Sequence, residues 1–227
     1  MLDRALDRLC RYGPESRQAG ANHAPMVVEA LCVLGRAQAV APWIERYERR
    51  LELRDRGGAP ISRAAWLVLV SSFPGFRSVI PAVDVTGDYS RFISELTETS
   101  ARHLLANEIS STASVAFLHS VTGPAALRLL VSYLRPPAAQ EALRYCWQVV
   151  AALYTAFGPA DSSLRHEAAT LDPDDLIDRA VQVAVETSDP HAVKLVEACL
   201  REHRLNLRPV YLLAAGRGID LLRQHPT

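Results

Sequence analysis

"LDPDDLIDRAVQVAVETSDPHAVKLVEACLREH", residues 171–203, sets two helices end to end and opens both in the same way. Asp172 and Asp189 stand where N-caps belong. Each is followed by a proline, Pro173 and Pro190, at the first helical position, where a missing N–H leaves no bond unmade. The acids of "DPDDLID" lie in a first turn, where the macrodipole favours negative charge, and lack the ligand spacing of a calcium loop. Behind the caps, apolar residues recur at intervals of three and four, the period of a helix with one face against a core.

The same period extends in both directions. Residues 138–157, "AAQEALRYCWQVVAALYTAF", predict a strongly apolar helix closed by Gly158, and a last helix runs from about Arg208 to Gln224, loosened by Gly216 and Gly218. Upstream, a helix from about Tyr89 to Asn107 precedes "SSTASVAFLHSVTGPAALRLLVSYLRPP", which predicts a helix kinked or restarted at Gly123–Pro124. Near the start, Asn22 caps a helix to about Leu34, with Pro25 in its first turn and Gly35 closing it. A second, from about Ala39 to Leu53, puts Val40, Ile44, Tyr47 and Leu51 on one side. "ISRAAWLVLVSSF", with Ser62 as its cap, is too Ala-rich and too long for a strand, and the Pro- and Gly-punctuated stretch after it is the least legible. No stretch keeps the two-residue alternation of a half-buried strand. The expectation is one all-α domain over 1–227, a compact bundle of roughly eight or nine helices.

Bulk properties exclude several functions. Twenty-five basic residues balance 25 acidic ones, so there is no electrostatic reason to expect nucleic acid or an anionic membrane as partner. No apolar run is long enough to span a bilayer, and the N-terminal stretch alternates charged and apolar residues, unlike a signal peptide. Cysteines at 10, 32, 146 and 199 are too scattered for a disulfide framework or zinc knuckle; they read as buried thiols in a reducing cytoplasm. Trp43, Trp66 and Trp147 sit in helical apolar patterns and read as core. Of the 25 basic residues 24 are arginine, as a GC-rich coding sequence would produce, and Lys194 is the only lysine.

The chain has no nucleophile elbow, phosphate loop or HExxH motif, and the "GRG" at 216–218 lacks both a preceding strand and a third glycine. Seven histidines remain, at 23, 103, 119, 166, 191, 203 and 225, none paired at i, i+4 spacing. A metal would have to collect them from separate helices, as bundles with buried cofactors do. His119, in "VAFLHSVTG", reads as a core histidine whose ring nitrogens need partners, and His23 as a helix-end residue or a ligand. His191 and Lys194, three apart, can converge on one point. Equally, Pro190, Lys194, Glu197, Arg201 and Arg204 trace a polar stripe that could face water.

Three stretches resemble one family. "ANHAPMVVEALCVLGRAQAVAPWIERYERRL" is similar to the N-terminal signature of questin oxidase-like proteins, "FLHSVTGPAALRLL" to their central histidine segment, and "DRAVQVAVETSDPHAVKLVEACLRE" to their C-terminal signature. The resemblance implies a non-haem iron oxygenase whose iron is held by histidines from separate helices and by one lysine carboxylated by CO2. It would act with O2 on an aromatic, polyketide-like metabolite by oxidative ring cleavage, in bacterial secondary metabolism. Carried over, His23, His119 and His191 would ligate Fe(II), with Zn or Mn as alternatives, and Lys194 would carry the carbamate. Glu186 and Asp189 would orient imidazoles, though Asp189 is also read as a cap.

The chain departs from that family in two ways. It is shorter between about residues 55 and 100, and Gly123 stands where many members place a second histidine. His166 is the expected fourth imidazole, with His103 next. Two other functions compete: a non-redox metalloenzyme (hydrolase, cyclase or isomerase) on the same scaffold, and a helical binding protein without catalysis. The oligomeric state is open, a homodimer included.

Overall fold

A computed structural model describes residues 1–16, 20–53, 85, 87–106, 111–157, 173–187 and 189–224. Nine α-helices lie among them: α1 (Leu2–Leu9), α2 (Ala24–Val33), α3 (Val40–Tyr47), α4 (Tyr89–Ala106), α5 (Ser111–Val131), α6 (Pro136–Phe157), α7 (Pro173–Thr187), α8 (Pro190–Leu205) and α9 (Pro209–Gln224). The all-α bundle expected from the helical period is what forms. Predictions for the helix around Ser62, for Trp66, and for the Asp172 cap and Gly158 stop fall outside the described residues.

At the centre lies α8. From Pro190 to Glu202 only His191 and Arg201 escape full burial, and α2, α5, α7 and α9 pack around it. A helix buried on every side needs apolar residues all round. Ala192, Val193, Leu195, Val196, Ala198, Cys199 and Leu200 provide them and sit in the main core. Asp189 caps it as the sequence predicts, its Oδ1 accepting from the His191 amide at 2.7 Å. The polar-stripe reading fails for its first half: Lys194 is 3% exposed and Glu197 6%.

Helix α9 crosses α8 closely. A methyl group at Gly218 would run into the Leu195 side chain and come within 3.2 Å of Leu118 Cδ2. Gly218 therefore holds the helices together and does not loosen α9. Gly218→Ala should cost about 1–3 kcal/mol as an overpacking substitution, read as a lower urea midpoint at unchanged slope. Likewise α5 runs unbroken from Ser111 to Val131 with Pro124 inside it, so the predicted restart is absent.

The largest departure lies at the N-terminus, where a small antiparallel sheet forms in the order β2–β1–β3 from Tyr12–Ser16 (β1), Gly20–Ala21 (β2) and Leu51–Leu53 (β3). The helix predicted to Leu53 stops at Tyr47, passes through a 3₁₀ turn at Glu48–Arg50 and becomes β3. Strands of two to five residues are too short to show a period. Arg8 and Arg11 both bind Glu48 at the turn, at 2.6 and 3.0 Å, tying α1 and the start of β1 to that reversal. Helix α2 ends as predicted: Gly35 takes φ +70°, Arg36 N–H donates to Leu31 O at 2.8 Å and Gly35 N–H to Cys32 O at 3.1 Å. That is a Schellman closure, which glycine permits without strain. All four cysteines are free; Cys199 is buried but Cys10 is exposed, against the expectation of four buried thiols.

Candidate metal centre

The sheet has a consequence for His23. Asn22 is clamped onto β1, its amide donating to Pro14 O at 2.7 Å and its Nδ2 to Gly13 O at 2.9 Å. Its Oδ1 accepts from Ala24 N at 3.0 Å, serving the start of α2 one residue later than predicted. The His23 amide donates to the Tyr47 hydroxyl at 3.2 Å, and Tyr47 is itself stacked on Trp43, centroids 4.4 Å apart. Strand, helix start and aromatic pair thus fix the backbone that carries the imidazole.

The other two rings are held by their own helices. His119 Nδ1 lies 2.8 Å from Val115 O, one turn back on α5. A carbonyl only accepts, so Nδ1 carries the proton and Nε2 keeps its lone pair. His191 Nδ1 lies 3.2 Å from Asp189 Oδ1, the oxygen that also caps α8. A carboxylate behind one nitrogen fixes the ring and raises the basicity of the other, the usual backing of a metal-bound histidine.

These rings meet. One nitrogen from each of His23, His119 and His191 lies within 4.8 Å of the others. The ring centroids are 5.9 Å apart for His23–His119, 4.9 Å for His23–His191 and 5.2 Å for His119–His191. Nitrogens bound at about 2.1 Å to one ion stand roughly 3–4 Å apart, so the cluster is close to a ligating arrangement. Lys194 completes it, its Nζ 2.8 Å from His23 Nδ1.

Electrostatics sets the protonation of this group. Burial first, and then Lys194 and the neighbouring histidines, push His23 down to about 3 and His119 to about 4. Burial also lowers Lys194, to about 8, against the pull of Asp189. Basic groups gathered in one desolvated spot repel protons, so His23 and His119 are neutral at pH 7. Neutral imidazoles are the form that binds a cation, and a cation there replaces the missing protons. For His23 the choice of nitrogen depends on its neighbour. Opposite an ammonium, Nδ1 must accept and the ring proton sits on Nε2; opposite a neutral amine the roles can exchange, which releases Nε2. The donor set fits a divalent ion that favours nitrogen: three convergent imidazoles, two of them backed by oxygen acceptors, and a lysine able to lose its charge.

The remaining site predictions divide. His166 lies outside the described residues. His103, on α4, is not in the cluster: its ring packs against Tyr154 at 4.2 Å, and its buried Nδ1 has no hydrogen bond. Gly123 is exposed one turn after His119. Asp189 does orient an imidazole, but Glu186 does not: it is exposed on α7 and accepts from Gln182 at 2.8 Å. Period explains this, because Glu186 lies three residues before the cap, on the preceding helix, whose outer face it occupies. Sequence reasoning missed Tyr47, the anchor of His23, because an aromatic at core spacing gives no sign that its hydroxyl meets a distant amide. No family model, curated protein or solved structure matches the chain.

Proposed function

We propose that the chain is a metal-dependent enzyme, an Fe(II) oxygenase acting on a small aromatic, polyketide-like molecule in the way its resemblance to questin oxidase-like proteins implies. The observation that supports a metal is the convergence of His23, His119 and His191, from three helices far apart in sequence, onto one spot beside the only lysine. Iron suits imidazole with an oxygen donor and open positions, and when bound it would supply the one-electron chemistry that reactions of O2 require. Zn or Mn are the alternative occupants of the same donors.

The chain's own groups have distinct tasks. Asp189 and Val115 O hold two rings in one orientation and one tautomer. Lys194, with its lowered affinity for protons, supplies a neutral amine to CO2: an N–C bond forms, one N–H proton leaves to solvent, and the stem ends in an anionic oxygen donor. A carboxylate there would accept from His23 Nδ1–H, the tautomer that frees Nε2. Burial under α2 and α5 favours the neutral amine, and a bound cation would offset the cost of burying the carbamate anion.

Elemental analysis of freshly purified protein, before and after reconstitution with Fe(II) and bicarbonate, tests the reading together with O2 uptake in the presence of phenolic compounds. The expected result is about one equivalent of iron and O2 uptake that needs it. Zinc without O2 uptake would move the protein to the hydrolase, cyclase or isomerase class. Protein that stays empty after reconstitution would overturn the reading and leave a helical binding protein.

A further inference from the structure

Of the four buried serines and threonines among the described residues, three are used by their own helices. Thr97, Ser100 and Ser120 donate to the carbonyl four residues back, to Ile93 O at 2.7 Å, Leu96 O at 2.9 Å and Ala116 O at 3.1 Å. Such a bond is the ordinary fate of a hydroxyl inside a helix. Thr122 is the exception. It stands on α5 one turn beyond His119 and is 4% exposed, yet its hydroxyl meets no hydrogen-bond partner among the described residues. The buried side-chain atoms that lack both a hydrogen bond and open surface are His103 Nδ1 and Glu197 Oε1, the latter held by Arg201. The Thr122 oxygen therefore keeps some surface. What it borders is a half-open pocket of about 260 Å³ between α2, α5 and α8, which Thr122 and Lys194 both line.

Lys194 has positions to fill as well. Its Nζ makes one hydrogen bond, to His23 Nδ1 at 2.8 Å, and an amine can make more than one. Carboxylation turns this amine into a group with two oxygens. One N–C bond forms to CO2, one N–H proton leaves to solvent, and the planar head carries the negative charge. One oxygen belongs to the histidine cluster, where a cation would take it. The other needs a donor, because an anionic oxygen stranded in a buried place is costly. Apart from Lys194, the side chains of the pocket wall offer two candidates, Thr122 and Arg201. Arg201 is already engaged by Glu29, Glu197 and Ala125 O. Thr122 is free.

We propose that Thr122 is the positioning residue of the Lys194 carbamate: its hydroxyl donates to the carbamate oxygen turned away from the ion and so fixes the plane of the head. The inference deepens the proposed function and rests on it, since it needs Lys194 to be carboxylated. Serine can make the same bond; valine, of the same shape as threonine, cannot.

Carbon NMR of the full-length protein loaded with Zn(II), in isotopically labelled bicarbonate, tests this beside Zn(II) titrations with and without bicarbonate. The parent should show one carbamate resonance that is absent from Lys194→Met, and bicarbonate should tighten its Zn(II) binding at least about tenfold. Thr122→Val should lose most of that resonance. In bicarbonate it should bind Zn(II) about 10- to 100-fold more weakly than the parent, the usual cost of removing a group that backs a ligand. Without bicarbonate the two proteins should bind Zn(II) alike, which a general packing defect would not allow. Thr122→Ser should restore both resonance and affinity. Circular dichroism checks the fold of each variant, and Thr122→Ala replaces Thr122→Val if that protein does not fold. Full resonance and parental affinity in Thr122→Val, a Thr122→Ser protein as impaired as Thr122→Val, or a deficit that persists without bicarbonate would overturn the proposal and leave the carbamate standing. A parent that binds Zn(II) but shows no carbamate resonance would remove the carbamate, and this inference with it, and leave a site of three histidines.

Discussion

His119→Ala should abolish the stabilisation that metal gives the parent protein. Removing an imidazole that donates directly should weaken affinity by at least about 100-fold, since loss of a mere backing group costs 10- to 100-fold. At a free metal concentration of 100 times the parent's Kd, the parent gains about 2.7 kcal/mol and the variant about 0.4. For a chain of this size that is a rise in Tm of about 5–10 °C against one of about 1 °C. Differential scanning fluorimetry of chelated and metal-loaded samples reads the contrast directly. His103→Ala serves as the control, because that ring lies outside the cluster and should keep the full shift. Equal shifts in parent and His119→Ala would mean that the three rings bind no ion.

The second large effect falls on the frame around the site. Glu202 is fully buried on α8 and receives Arg128 from α5 through two bonds, at 2.6 and 2.9 Å. Ser94 of α4 joins both partners, at 3.2 Å to Glu202 and 2.8 Å from Arg128. Arg128→Met leaves that carboxylate without its cation, and breaking such a pair costs about 3–5 kcal/mol. A fall in Tm on the order of 10 °C is expected. Replacing both members, Arg128→Met with Glu202→Met, should recover most of the loss, since two apolar side chains of similar volume strand no charge. If the double variant is no better than the single, the pair's value lies in packing and not in charge.

The sequence carried the helices because their signals are local. Asp189 with Pro190 before an apolar run, or Gly35 after one, states a start or a stop within a few residues, and α8 and α2 begin or end there. The strands at Tyr12–Ser16 and Leu51–Leu53 were illegible for the opposite reason: each is defined by a partner some 40 residues away. For the site, His191 and Lys194 could be paired from spacing alone, as neighbours on one helix. That His23 and His119 join them follows from how α2 and α5 lean on α8, which no local pattern encodes; only resemblance supplied it. Glu186 shows the limit of reasoning from proximity in sequence. It stands five residues from His191, yet it belongs to α7, which ends before the cap of α8, and it is exposed there.

Lys194 has one more consequence, which concerns the chain as a target. With 24 of its 25 basic residues arginine, the protein offers amine-directed chemistry a single lysine side chain, and that one is 3% exposed between α2 and α8. Acylation of that amine by a modifying enzyme, or by a reagent too large for the pocket that Lys194 lines, must wait for those helices to part. Its rate then measures how often the bundle opens at its centre, as hydrogen exchange does for a protected amide. The lysine is therefore a built-in clock for the integrity of the fold, and a Lys194 that carries such a bulky group, unlike the CO2 adduct, marks a molecule that has already come apart at the site.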